Sequence, residues 1–256
     1  MESNIDPTRI KFHITEELLY TLIDRETGET LHDGVAEFED TLTTWGKQRI
    51  CELLGGKSEF AIGALMCSRV GASTHYPNIA GIDGIGDLTA ATLEIISDTI
   101  NGDPDGYPGT YSGVFAASAA NQAFNSLACT VVLGAGQDLV FTVKLGCDDL
   151  LEDGNSIVVA RLGNLENVYD VPMAYVAGTV SGHGIDFIQS TNSVSNNTLT
   201  ISTGSGSFTE PGNYTIFYPT ETNVTTGGKR LHRFDQTTIN LSDGQELFVD
   251  MQFIID

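Results

Sequence analysis

Two stretches of this chain end in the same way. Residues 130–145 read TVVLGAGQDLVFTVKL and residues 238–253 read TINLSDGQELFVDMQF. At a constant offset of 108 they share Thr130/Thr238, Leu133/Leu241, Gly136/Gly244, Gln137/Gln245 and Leu139/Leu247, with Asp138 opposite Glu246. Upstream, PGTYSGVF at 108–115 matches PGNYTIFY at 211–218 at an offset of 103. The order Pro-Gly-x-Tyr, apolar run, Gly-Gln-acid-Leu, apolar alternation thus occurs twice, with a five-residue length change between. A supersecondary unit that recurs within one chain constrains the fold first. Its alternation has a period of two, which is a strand period. What the two copies share is the chemistry of turns and cores, not of catalysis.

The rest of the chain fits a mainly β protein. Residues 9–15 and 18–24 alternate as strands, Arg25–Glu29 is a turn with Gly28 suited to positive φ, and 30–38 returns as a hairpin. One segment has helical spacing: 44–54, capped by Thr43 or Thr44, with Trp45, Ile50, Leu53 and Leu54 on one face and Gly55-Gly56 as the stop. Ala61–Val70 reads as a strand, 71–88 as a long loop, and 88–100 as strand or short helix. Asn101–Gly109 is the strongest turn cluster. Strands are expected at 110–116, 127–133 and 138–145. Others are expected at 157–162, 171–180, 198–203, 214–219, 231–241 and 245–255. Residues 181–197 read as loop-rich, and 222–228 as a hairpin tip. Short strands with regular turns predict antiparallel β-sandwich modules around a duplicated hairpin unit, with one short α-helix at 44–54. The acidic junction 146–156 marks the boundary between an N-terminal sandwich, 1–147, and a C-terminal repeat, 148–256, unless the two are fused into one domain. Leu139, Phe141, Val143, Leu247, Val249 and Met251 are expected to face sandwich cores, and the helix to plug an open end of a sheet or meet another subunit.

Charge narrows the partners. The 256 residues carry 34 acidic and 12 basic side chains, five of them Lys, for a formal net charge of −22. Such a surface repels nucleic acid and anionic lipid. It also suits a high-salt environment, so a halophilic source is expected. No apolar run approaches the roughly 18 residues of a membrane span, and MESNIDPTRI at the N-terminus lacks a secretory apolar core. Cys51, Cys67, Cys129 and Cys147 form no Cys-x-x-Cys pair, which excludes a zinc ribbon and predicts buried free thiols. Four Asn-x-Ser/Thr triplets, at Asn196, Asn213, Asn223 and Asn240, read as Asn/Thr-rich strands rather than sugar sites.

Candidate chemistry is sparse. Lys57-Ser58 after Gly56 imitates a phosphate loop, but Cys51 stands where its first Gly belongs, and the glycines end a helix instead of opening one. Asn101, Asp103 and Asp105 place three oxygen-bearing side chains at alternate positions, as a calcium loop begins. Position twelve is Ser112 instead of Glu, so an ordinary acidic turn competes with calcium, the one cofactor the sequence suggests. Asp148, Asp149, Glu152 and Asp153 repeat the idea more weakly. His13, His32, His75, His183 and His232 are scattered, and no nucleophile-base or metal-protease signature occurs. The expectation is a non-enzymatic protein.

Three segments together carry a resemblance: TTWGKQRICELLGG at 43–56 leading to RVGAS at 69–73, FTEPGNYTIFY at 208–218, and KRLHRFDQTTINLSDGQELFVDMQFII at 229–255. Their order resembles the virion-appendage families of tailed phages and archaeal tailed viruses, including tail-fibre and baseplate proteins. The extra copy of the final hairpin at 108–145 departs from that pattern. The resemblance implies a structural protein of the virion, assembled in the host cytoplasm as a trimer or ring, with copies of itself and other virion proteins as partners. Alternatives are a host-receptor or glycan-binding module at a tail tip, with Tyr76, Tyr107 and Tyr111 as candidate contacts, and a capsid-surface decoration protein. A cellular adhesion or surface-layer domain and a hydrolase stand further off.

Overall fold

The computed structural model describes residues 3–4, 8–36, 38–56, 61–71, 79–83, 91–103, 107–117, 122–150, 153–163, 173–223 and 229–256. In chain order the elements are β1 (Ser3–Asn4), β2 (Thr8–Phe12), β3 (Thr15–Asp24), β4 (Thr30–Val35), β5 (Phe38–Leu42), α1 (Thr44–Leu54), β6 (Ala64–Arg69), β7 (Ile79–Asp83), β8 (Thr92–Ser97), β9 (Ile100–Asn101), β10 (Gly109–Ala117), β11 (Asn125–Cys129), β12 (Val131–Leu133) and β13 (Gln137–Gly146). They continue with α2 (Gly154–Gly163), β14 (Tyr175–Val180), β15 (Gly184–Gln189), β16 (Thr191–Ser195), β17 (Thr198–Ser202), β18 (Gly212–Thr220), β19 (Phe234–Leu241), β20 (Leu247–Phe248) and β21 (Asp250–Ile255).

The protein is mainly β, and its strands form two sandwich-like pairs of sheets. In the first pair, β4-β3-β13-β8-β7 faces β12-β10-β11-β5 with β6 on the other side of β10. Tyr111 and Phe141 bridge these sheets edge to face, ring centroids 5.9 Å apart. In the second pair, β16-β17-β21-β2 faces β15-β14-β18-β19, with Phe234 against Phe253 at 5.6 Å. Leu139, Phe141, Val143, Leu247, Val249 and Met251 are all buried, as the alternation predicts.

The repeat is a structural one, and it is longer than the matched sequences. Gly109 pairs with Leu133 and Tyr111 with Val131; Gly212 pairs with Leu241 and Tyr214 with Ile239. On the other flank β10 meets β6 and β18 meets β14, each with an irregularity at the same place, between Tyr111 and Gly113 and between Tyr214 and Ile216. β13 pairs with β8 as β21 pairs with β17: Leu145 opposite Leu93, Phe253 opposite Leu199. The tight turns match too. Gln137 Oε1 accepts from Gly134 N at 2.9 Å and Gln245 Oε1 from Ser242 N at 2.7 Å, while Gly136 and Gly244 hold φ of 77° and 74°. Only glycine adopts that conformation without strain.

One hydrogen bond recurs as a latch in both copies. The buried Tyr111 hydroxyl donates to the Tyr107 carbonyl at 3.0 Å, and the buried Tyr214 hydroxyl to the Glu210 carbonyl at 3.1 Å. Desolvation pushes the Tyr111 phenol up to about 12, so it stays a donor at ordinary pH. In the second copy the single hydroxyl proton is shared with Asp186 Oδ2, 2.9 Å away. We expect Tyr111→Phe to cost about 1 kcal/mol in urea unfolding. Tyr214→Phe should cost more, because the proton it removes also faces a carboxylate.

Helix α1 forms where predicted. Thr43 Oγ1 accepts from Gly46 N at 2.8 Å, and Gly56, at φ 98°, donates to the Leu53 carbonyl. Residues 157–162, expected as a strand, belong instead to α2. Ser156 to Gly163 are buried without interruption, so the helix has no polar stripe and shows no helical period. Residues 181–197, expected as loop, hold β15 and β16. Neither has a fully buried residue: β15 (GIDFIQ) is half-buried along its middle and β16 (TNSVS) is polar except for Val194, so neither shows a clean apolar alternation. The expected strand 127–133 is broken at Thr130 into β11 and β12, and 88–100 resolves to strands at β8 and β9.

The helices cross over between the sheet pairs. α1 lies within the first unit in sequence, after β5, but packs against β16, β17 and β21 of the second; α2 leads into β14–β21 of the second unit but packs against β8 and β13 of the first, and the two helices touch. The N-terminus joins in: β2 runs parallel to β21, and Lys11 bridges Asp256 at 3.0 Å. One hydrophobic core cluster contains residues of both units and both helices.

Candidate functional site

The calcium candidates lie beside a guanidinium. Asn101 pairs with Asp138 at the edge of β13, and Asn101 Oδ1 accepts from Asp103 N at 2.7 Å, folding the turn. Arg25 sits at the tip of the β3–β4 hairpin, where its N–H donates to the Gly136 carbonyl at 3.0 Å. Its side chain donates to Asn101 Oδ1 at 2.6 Å, contacts the Asp103 carboxylate, and reaches Asp138 at 3.1 Å. The Asn101 and Asp103 oxygens thus converge on an organic cation of this chain. Asp105 lies outside the described residues. A cleft of about 530 Å³ opens here, lined by Asp24, Arg25, Glu26, Asp103 and the turn at 135–137. Asp24 is held below its usual pKa, first by the Thr27 N–H and then by the Thr27 hydroxyl. The arrangement ties one hairpin to one turn through charge-assisted hydrogen bonds.

The other acidic candidates diverge. Asp149 accepts from His13 N and faces His13 Nδ1, both at 3.0 Å, while Asp153 turns to Lys229 at 3.6 Å. Asp148 is exposed, and Glu152 lies outside the described residues. His183 pairs with Glu210 at 2.9 Å and His32 stacks on Tyr20. His75, Lys57 and Ser58 are outside the described residues. Among the described residues no three His, Cys, Asp or Glu side chains converge as metal ligands.

All four cysteines are free and buried. Desolvation raises every thiol, Cys51 and Cys147 to about 12 and Cys129 to about 11, so thiolate is scarce and reactivity low. Of the aromatic contact candidates, Tyr111 is a core residue, Tyr107 is 44% exposed, and Tyr76 is outside the described residues. That placement corrects Tyr111 as a surface contact: its ring packs between the sheets and its hydroxyl closes the latch. Among the described residues no helix is long and apolar enough to cross a membrane.

His232, between Phe234 and Phe253, is buried, and desolvation holds its pKa below the ordinary value. With the folded pKa below the unfolded one, the unfolded chain takes up the proton first as pH falls. The stability this site contributes is therefore whole above about 6.5 and lost below it. The thermal midpoint should fall between about pH 7.5 and pH 5.5, and His232→Gln should flatten that part of the profile.

Sequence reading missed one feature of these units. TLEIIS at 92–97 matches TLTIST at 198–203 at an offset of 106, and these segments pair with the two matched end strands in the same register. No protein family, curated protein or solved structure matches the chain.

Proposed function

We propose that this chain is a non-enzymatic structural subunit of a tailed virus particle, in a tail fibre, baseplate or related appendage. The observation that carries this reading is the duplication. Two units keep the same latch, turns and strand register, and what they hold in common is frame. Asp103, Asp149, Asp153 and His183 are engaged in pairs that tie elements together, and the thiols are buried. A chain with two equivalent units can occupy two equivalent places in a symmetric assembly, and closed symmetry then buries the faces that remain. The acidic surface keeps free subunits apart, while salt screens it over about 8–10 Å, so close contacts still form. The glycan-binding alternative loses support with Tyr111 in the core. Electron microscopy and sedimentation of the purified protein across salt concentrations test the proposal. A discrete trimer, ring or spike is the expected result; a monomer at all concentrations, or turnover of a glycan substrate, would overturn it.

A further inference from the structure

The two units share a frame but differ at one exposed row. In the first, Val132 pairs with Thr110, whose carbonyl accepts from Val70 N at 2.8 Å. Two strand positions and the first turn residue after β6 thus present Val-Thr-Val side by side. In the second, Asn240 pairs with Asn213, whose carbonyl accepts from Ser181 N at 3.0 Å, so the same row reads Asn-Asn-Ser. Val70 is 65% and Val132 62% exposed, among the few large hydrophobic side chains this chain leaves in water. Tyr107, 44% exposed, lies beneath the guanidinium of Arg69, the residue before Val70. The shared backbone sets neither choice, since the second unit builds the same row from polar residues.

The charge beside the row says what can cover it. The turn that follows β12 accepts the Arg25 N–H, and the cleft at that turn is lined by Asp24, Glu26 and Asp103. Arg25 is already engaged with Asp103 and Asp138. The carboxylates of that rim favour a partner that brings lysine or arginine to it, and a second copy of this chain has only 12 basic side chains against 34 acidic ones with which to do so. We infer that the Val70–Thr110–Val132 row is a docking surface for a net-basic protein partner that lays an apolar strip on the row and lysine or arginine beside the Asp24/Glu26 cleft.

Three substitutions copied from the second unit test this without threatening the fold: Val70→Ser, Thr110→Asn and Val132→Asn together. The probes are two synthetic nine-residue peptides, one alternating valine and threonine with lysine, the other with glutamate in place of lysine, read by fluorescence anisotropy at two salt concentrations. The lysine peptide should bind the unaltered protein, and at least tenfold more weakly the triple variant, whose charge is unchanged. The reciprocal variant, Ser181→Val, Asn213→Thr and Asn240→Val, sits beside the exposed Asp243 and Glu246 of the matching turn and should gain binding of the lysine peptide over the glutamate peptide. Equal binding to the protein and the triple variant would overturn the inference, as would no binding of the lysine peptide. So would self-association that the triple variant abolishes, since the occupant would then be a second copy.

Discussion

Alanine at Gly154, or at Gly46, is expected to destabilise the protein by about 3 kcal/mol, although alanine is the better helix former. A Cβ on Gly46 would stand 2.0 Å from the Phe124 carbonyl oxygen, and one on Gly154 would stand 1.9 Å from the Leu231 carbonyl oxygen. Both obstacles are backbone. The Phe124 carbonyl also accepts from Thr43 N at 2.9 Å and from Thr43 Oγ1 at 3.1 Å, so it is fixed by the cap of the helix that would be pushed away. The helix would have to lift off the strand leading into β11 or β19, and its far end would leave the other unit's sheet. Against a total stability of roughly 5–15 kcal/mol, either change should lower the thermal midpoint by several degrees and reduce soluble yield. Unchanged midpoints in both variants would mean the helices do not sit on these carbonyls.

The matching glycines also show how far sequence reading reaches. Gly46 and Gly154 are 108 residues apart, the offset of the matched tails, and Leu54/Leu162 and Gly55/Gly163 repeat at the same offset, but the residues next to the two glycines differ: Trp45 precedes one and Asp153 the other. Backbone proximity selects glycine without selecting its neighbours. The tails themselves were legible because Gly136 and Gly244 need positive φ and because Leu139 and Leu247 begin alternating, half-buried strands. α1 was legible because Thr43 caps it and polar residues share its length; α2 was not, because burial on every side erases the period. The strands β15 and β16 were lost for the opposite reason: neither has a fully buried residue, and only Ile188 and Val194 reach the core from them. The Arg25–Asn101 contact joins residues 76 apart and has no local signal at all. The apolar row at Val70 and Val132 becomes visible only once register shows which residues of the second unit stand in the same places.

Aspartate at Leu53 is the second large effect expected. Leu53 is 1% exposed on α1, the helix that lies against β16, β17, β21 and α2. The guanidinium one turn back on α1, Arg49, is already paired with Glu52, and leaving an ionised group buried and unpaired costs several kcal/mol on top of the lost leucine contacts. The group will instead hold its proton, with a folded pKa above its unfolded value of about 3.9. A raised folded pKa means the variant's deficit relative to the unaltered protein is smallest below the unfolded value and grows as pH rises through the folded one. Leu53→Met, which keeps the volume, should cost less than about 1.5 kcal/mol and serves as the control. Because α1 belongs in sequence to the first unit and covers the sheet of the second, hydrogen exchange locates the damage. Loss of protection in both β13 and β21 is expected if the units fold together around one core. Loss confined to β21 would show that the first sheet pair stands without the second, and Leu53→Asp with the stability of Leu53→Met would show that α1 is not seated between them.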